Sequence, residues 1–332
     1  MKKIAVVFNG GTISMKLDEK LKAAVPTLTG EEIMSMVTGI EEHAEVVSHN
    51  FSSVPSPHMT IDRIMDLQAY VTMLLEDDGI YGIVITHGTD TLEETAYLLD
   101  LTIETSKPIV VTGSMRSGSE LGYDGPFNLA QAIVAASSES SRGRGVLVCM
   151  NGELHSASEV TKANSMALNA FRTPLFGPIG IIDNNSVIYY RVASGRQCRS
   201  VSKVEQRVSL IKACAGMDSS FIRFSVDKGD KGIVIEALGR GNVPPQMVEG
   251  IRHALSKGVP VVIVSRCYEG RVFESYGYEG GGKHLRTMGV IFGESLPGQK
   301  ARIKLMVALS LFSDPKDVRE WFERDLYPHL QA

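Results

Sequence analysis

Two short segments set hydroxyl groups beside glycine where apolar runs end. Tyr81-Gly82-Ile83-Val84-Ile85-Thr86 leads into His87-Gly88-Thr89-Asp90-Thr91, and Lys3-Ile4-Ala5-Val6-Val7-Phe8 leads into Asn9-Gly10-Gly11-Thr12-Ile13-Ser14. A threonine hydroxyl is a weak nucleophile at its ordinary pKa. To attack a carbonyl it needs a neighbouring base and backbone donors for the oxyanion that forms. Glu159-Val160-Thr161-Lys162-Ala163-Asn164 supplies a lysine, which serves as that base when burial favours the neutral amine. Nucleophilic attack on a carbonyl is therefore a chemistry open to the threonines of these two segments, with Lys162 as a candidate base and Asp90 as a nearby carboxylate.

Each segment also has a plain structural reading. Thr91 and Glu94 have the spacing of a helix capping box, Asp90 fits an N-cap and Gly88 fits a tight turn. Taken alone, that stretch favours the plain reading. Gly10 and Gly11 match neither the GxGxxG nor the GxxxxGK[ST] spacing, so a phosphate cradle is unsupported there. A solvated surface residue is the commoner role for a lysine such as Lys162.

The elements that must position these groups follow from pattern. Apolar, β-branched runs read as buried parallel strands, and open α/β sheets bind ligands at the strands' carboxyl ends. Besides the two strands above, strands are expected at 108–112, 145–150, 232–236 and 260–264. Helices are expected from the Thr29 to Glu32 capping-box spacing, over 60–75 and 92–101, from Pro126 to about 136, and over 245–257, 298–311 and 314–326. The polar stretch 16–26 reads as loop. The alternation predicts an α/β fold, with a larger N-terminal, mostly parallel sheet domain flanked by helices (1–185). The pattern turns polar from Asp183 to about Ser209, through Asn184-Asn185, and a linker placed at 186–210 separates the first domain from a smaller C-terminal α/β domain (211–332).

Composition removes several classes of function. At 332 residues the chain exceeds what one core usually holds, which favours two domains. A net charge of -4 and a charged fraction of 22%, without a dense Lys/Arg run, argue against a nucleic-acid ligand. No apolar segment approaches a membrane span. Cys149, Cys198, Cys214 and Cys267 form no CxxC pair, which fits neither a zinc knuckle nor a disulfide framework. The apolar stretch after Lys2-Lys3 ends at Asn9-Gly10-Gly11 without a cleavage site, so it reads as a strand, and a reducing cytoplasm is expected. His58, His155 and His284 lack metal-ligand spacing and read as surface or loop residues. His87 reads as packing or orienting its turn.

Five segments together closely resemble the bacterial L-asparaginase family across nearly the whole chain. They are Asn9-Gly10-Gly11-Thr12-Ile13, the stretch from Thr86 to Ala96, Val111-Thr112-Gly113-Ser114-Met115-Arg116, Asp124-Gly125-Pro126-Phe127-Asn128 and Val160-Thr161-Lys162-Ala163-Asn164; Gly298-Gln299-Lys300-Ala301-Arg302 extends the likeness. The resemblance implies hydrolysis of L-asparagine to L-aspartate and ammonia through a threonine acyl-enzyme, without metal or organic cofactor. It implies Thr12 as primary nucleophile, and a group of Thr89, Asp90 and Lys162 in which the lysine activates Thr89. Substrate would be held by Ser56, Thr89, Asp90, the main-chain carbonyl of Ser114, and Glu279 from a neighbouring subunit. The implied assembly is a homodimer or homotetramer of the cytoplasmic, type I-like kind.

The sequence departs from the family at three places. Asn9 stands where many members have threonine. Residues 16–26 contain no tyrosine where many members carry one that activates the nucleophile, so the base for Thr12 is unassigned, with Tyr276 and Tyr278 as substitutes or interface packing. Pro57 follows Ser56 where glutamine or serine is common, which leaves asparagine against glutamine open. Arg240 and Asn242 follow a strand of the C-terminal domain, with an interdomain contact expected ahead of a place in the pocket or a regulatory site. Two other functions compete. One is a non-catalytic or weakly active amino-acid sensing protein of the same fold. The other is the amidase-like subunit of a tRNA-dependent amidotransferase, disfavoured because such subunits carry an extra N-terminal domain.

Overall fold

The computed structural model describes residues 1–193 and 195–323. The chain divides into two compact units, Met1–Ser200 and a second beginning at Val201. The first unit runs β1 (Lys3–Phe8), β2 (Met15–Asp18), β3 (Ala23–Pro26), α1 (Gly30–Met34), β4 (Glu45–Asn50), α2 (Ile61–Leu75), β5 (Ile80–Thr86), α3 (Leu92–Thr102), β6 (Ile109–Thr112), α4 (Gly125–Ser137) and β7 (Val146–Met150). It continues through β8 (Glu153–Ser156), β9 (Thr161–Lys162), β10 (Phe171–Arg172), β11 (Gly180–Asp183) and β12 (Ser186–Tyr189).

Eight of these strands form one sheet in the order β12-β11-β8-β7-β6-β5-β1-β4. The five strands from β7 to β4 are parallel, and β8, β11 and β12 extend the sheet antiparallel. The inner parallel strands β1, β5, β6 and β7 are almost wholly apolar because both their faces are covered, whereas β4 lies at the edge. Side chains alternate across the sheet: Ala5, Val7, Ile83, Ile85 and Val111 pack with Leu67, Val71 and Leu99 on α2 and α3. Ile4, Val6, Val84 and Val110 pack with Leu129, Ile133 and Ala136 on α4. The carboxyl ends of β1, β5 and β6 thus lie side by side, and the 9–14, 86–91 and 113–124 loops issue from them.

Two expectations are corrected here. The stretch 16–26 is no loop: β2 and β3 pair as an antiparallel ribbon, Met15 opposite Pro26 and Asp18 opposite Ala23. Its polarity reflects solvent exposure of a two-stranded ribbon rather than lack of structure. Asn184-Asn185 likewise opens no linker. Both residues have positive φ (45° and 55°) and form the two-residue turn between β11 and β12, so 186–189 is the outer strand of the sheet. Between Tyr189 and Val208 the described residues carry no regular element, and Arg196 and Arg199 tie this segment to Asp100 and to the Leu101 carbonyl.

The second unit runs β13 (Val208–Lys212), α5 (Ser220–Asp227), β14 (Gly232–Ala237), α6 (Pro245–Ser256), β15 (Val261–Ser265), α7 (Gly282–Met288), β16 (Ile291–Phe292), α8 (Gly298–Leu311) and α9 (Pro315–Glu323). Its four strands form a parallel sheet in sequence order. The helix expected over 314–326 is present to Glu323, and its last expected turn lies outside the described residues. Among the described residues no helix is long and apolar enough to cross a membrane.

Candidate active site

The turns that carry Thr12 and Thr89 cross at their glycines. A β-carbon on Gly11 (φ 89°) would stand 2.3 Å from the Cα and amide nitrogen of Gly88, and one on Gly88 would stand 2.6 Å from Ser56 Cβ. Only glycine allows three backbone segments to approach so closely. Chain geometry then keeps the Thr12 and Thr89 Cα atoms no more than roughly 11 Å apart. Asn9 closes the seam, its amide donating to Thr86 Oγ1 (3.2 Å) and its Oδ1 accepting from Ser52 Oγ (2.6 Å).

The capping reading of 87–94 does not hold. Thr91 is the residue before α3, but its side chain caps nothing and instead donates to the Ser56 carbonyl (3.0 Å). The Asp90 amide donates to Ser56 Oγ (3.2 Å). Ser56 therefore spends one hydroxyl lone pair on the turn, and this bond does not use its O–H proton. His87 is fully buried, with Nδ1 2.8 Å from the Gly88 carbonyl and Nε2 2.9 Å from Thr95 Oγ1. The first contact makes Nδ1 the donor and the second leaves Nε2 an acceptor. Burial, opposed by the Gly88 bond, lowers its pKa to about 4, so the ring is neutral and orients the turn.

Lys162 meets these turns from β9. Its Nζ donates to Thr89 Oγ1 (2.9 Å) and to Asp90 Oδ1 (2.6 Å). The lysine side chain is mostly buried at 15% exposure, against 61% for Asp90, so the amino group faces the turn while the carboxylate stays open to solvent. Lys162 is thus not a surface lysine. Glu93 holds it there: buried in the first turn of α3, its Oε1 accepts from the Lys162 amide and from Thr161 Oγ1, both at 3.1 Å. In the sequence Glu93 lies unremarkably within the stretch from Thr86 to Ala96. Nothing in the sequence marked it, because an acid in the first turn of a helix is commonly solvated, and its burial is what obliges it to find donors.

Ser114 is wholly buried after β6, and its hydroxyl donates to Asp124 Oδ1 (2.7 Å). Asp124 also accepts from the amides of Met115 (3.0 Å) and Arg116 (2.9 Å) and from Asn128 Nδ2 (2.9 Å). Ser114 can offer a ligand only its main chain. Gly113 lies against the same turn, because a β-carbon there would sit 2.4 Å from the His87 carbonyl.

Residues 1–200 thus bring together the turns of Thr12, Ser56, Thr89, Asp90, Ser114 and Lys162. Thr12 is half-buried, and its hydroxyl has no protein hydrogen-bond partner among the described residues. Glu279 belongs to the second unit, exposed in the turn before α7, beside the stacked and exposed pair Tyr276 and Tyr278. Asn242 accepts from the Gly282 amide (3.1 Å), and Arg240 lies over the Phe273 ring, both within the second unit. His155 corrects its reading as a surface residue: it is buried, with Nδ1 3.0 Å from Thr173 Oγ1 and Glu153 beside Nε2.

Residues 3–194 match the "Asparaginase, N-terminal" domain and residues 207–322 the "Glutaminase/Asparaginase C-terminal domain". The chain belongs to the asparaginase family. It is 37% identical over 313 residues to an L-asparaginase of Bacillus licheniformis, covering 94% of this chain and 97% of that protein. It is 31% identical over 328 residues to a probable periplasmic L-asparaginase of Haemophilus influenzae, covering 96% and 92%. A crystal structure of a probable cytoplasmic L-asparaginase from Campylobacter jejuni superposes with a TM-score of 0.87 at 30% identity, over 97% of this chain and 99% of that one. Similar family members thus carry names from both compartments. Asparaginase-family membership agrees with the α/β architecture of both units.

Proposed function

We propose that this chain hydrolyses L-asparagine to L-aspartate and ammonia through an acyl-enzyme on Thr12. The observation that carries the reading is the contact of Lys162 Nζ with Thr89 Oγ1 at a turn that crosses the Thr12 turn. Thr12 Oγ1 attacks the side-chain carboxamide carbon, and the C–N bond breaks as a proton passes to the departing ammonia. An ester of Thr12 remains. Thr89, with Lys162 drawing on its proton, activates a water that attacks the ester carbon and restores the Thr12 hydroxyl.

Binding follows from the charges of a free amino acid. The substrate ammonium meets the open side of Asp90 and Glu279 of a neighbouring subunit. Its carboxylate takes the free O–H of Ser56, and its amide nitrogen meets the main-chain carbonyl of Ser114. A site completed in this way requires a homodimer or homotetramer. The cytoplasm is the proposed compartment, supported by four cysteines that are all free thiols.

Ammonia release at ample asparagine tests the reading. Thr12→Ala and Thr89→Ala are each expected to lower kcat by roughly 10^3-fold or more, and Lys162→Met by roughly 10^2- to 10^4-fold. Full activity in either alanine variant would falsify it. Tight asparagine binding without turnover in the wild type would point to a sensing protein. Turnover that begins only when a tRNA-dependent partner subunit is added would point to an amidotransferase subunit.

A further inference from the structure

With no protein partner for its hydroxyl among the described residues, Thr12 takes its direction from the backbone of the single 3-10 turn Thr12–Ser14. That turn is held at its start by its own neighbourhood. The Gly11 amide donates to the Val54 carbonyl (3.1 Å), while the Ser14 amide and hydroxyl both donate to the Gly11 carbonyl (3.0 and 2.8 Å). It is held at its middle from a distant loop: the phenol O–H of Tyr123 donates to the carbonyl of Ile13, the residue after Thr12.

The tyrosine is built into a stiff support. A β-carbon on Gly125 would lie 2.5 Å from the Tyr123 ring and hydroxyl, so the glycine at the start of α4 makes room for the ring. Asp124, next in sequence, accepts the four hydrogen bonds that fix Ser114, Met115, Arg116 and Asn128. The same loop grips the β2–β3 ribbon, with the Gly118 amide on the Met15 carbonyl (2.8 Å) and the Leu17 amide on Ser119 Oγ (2.9 Å). Burial, and then the charge of Asp124, hold the phenol pKa well above its ordinary value. Tyr123 stays protonated and donates, so it is no substitute for the missing base.

We infer that Tyr123 is the positioning residue of Thr12: its O–H, fixed on the Ile13 carbonyl, holds the 3-10 turn at the angle from which Oγ1 reaches the scissile carbonyl. The inference rests on Thr12 as the nucleophile of the proposed hydrolysis. Its chemical consequence falls on attack and not on affinity, because the Tyr123 hydroxyl bonds to the turn and to no group assigned to bind substrate.

Tyr123→Phe keeps the ring in its seat and removes only the donor. In the full-length protein the expected result is a fall in kcat of roughly five- to tenfold, the size of one neutral hydrogen bond. KM should stay near wild type, the thermal midpoint should fall by no more than a few degrees, and the shape of the pH profile should not change. Hydrogen exchange at the amides of residues 12–14 should quicken by a comparable factor. Unchanged kcat, unchanged exchange, or a loss confined to KM or Tm overturns the inference. If the wild type itself releases no ammonia, the hydrolase reading fails separately, and the exchange rate alone then upholds or overturns the tether.

Discussion

His87 stands two residues before Thr89, in the position where an imidazole invites a catalytic assignment, yet its ring does structural work that pH can expose. The native ring is neutral down to about pH 4, whereas an unfolded histidine protonates near 6.5. Between those values the unfolded chain binds more protons, so stability falls as pH drops through the window and is fully present above 6.5. The contribution is on the order of 3 kcal/mol. Urea unfolding from pH 7 to pH 4 should show this loss, and His87→Gln should flatten it. An unchanged slope in the variant would return the ring to a solvated role. The residue types at Thr12, Thr89 and Lys162 could be read from the sequence; their engagement could not, because a hydroxyl beside glycine serves a cap and a nucleophile equally well. Three-dimensional contact removed the cap, since Thr91 turns to the Ser56 carbonyl, and it brought Lys162 to Thr89.

Elements show the same division. Strands β1, β5, β6, β7, β14 and β15 were legible because continuous apolar runs have one use in a sheet covered on both faces. Strand β4 was not: its Glu45, Ser48, His49 and Asn50 are polar because it lies at the sheet edge. The β7–β8 turn, Asn151-Gly152 with both φ positive, carried the strongest hairpin signal in the chain and still went unread. Helix α8 has a further consequence for stability. Lys304 is buried there with Nζ 4.9 Å from the Phe322 ring centroid. Burial depresses its pKa to about 7, partly offset by Glu294, while Arg286 and Glu323 pair with each other nearby. Folding with a charged lysine is penalised below that value, and the penalty fades as pH rises from 7 to 10.5. Lys304→Met should therefore raise the unfolding free energy at pH 7, by on the order of 4 kcal/mol at most, and the gap should close by pH 10.5. A destabilised variant at pH 7 would show that the contact with Phe322 outweighs burial.

At the scale of the whole molecule, each unit has its own sheet and its own core. The first gathers the reactive groups, and the second carries Glu279 in an exposed turn. The proposal that Glu279 serves a neighbouring subunit can be tested by complementation. Glu279→Ala alone should raise KM roughly tenfold with a smaller change in kcat. Co-expressed with Thr12→Ala, it should regain wild-type affinity in part of the sites, because a mixed pair assembles one site with both Thr12 and Glu279. Wild-type KM in the single variant, or no regained affinity in the mixture, would remove Glu279 from the site. Light scattering on the same samples reports whether the assembly is a dimer or a tetramer.

From its residues alone the chain determined the class of fold, the order of its main elements and the segments that hold chemistry, because apolar runs and glycine-hydroxyl clusters are local and recur in a recognisable order. Only the tertiary structure decided which hydroxyls have partners. It joined Lys162 to Thr89 across 73 residues, Glu93 to Lys162 across 69, and Tyr123 to Ile13 across 110. The reason is physical: a side chain's pattern in sequence reports which way it faces, whereas its proton partner is set by which loops the sheet brings side by side.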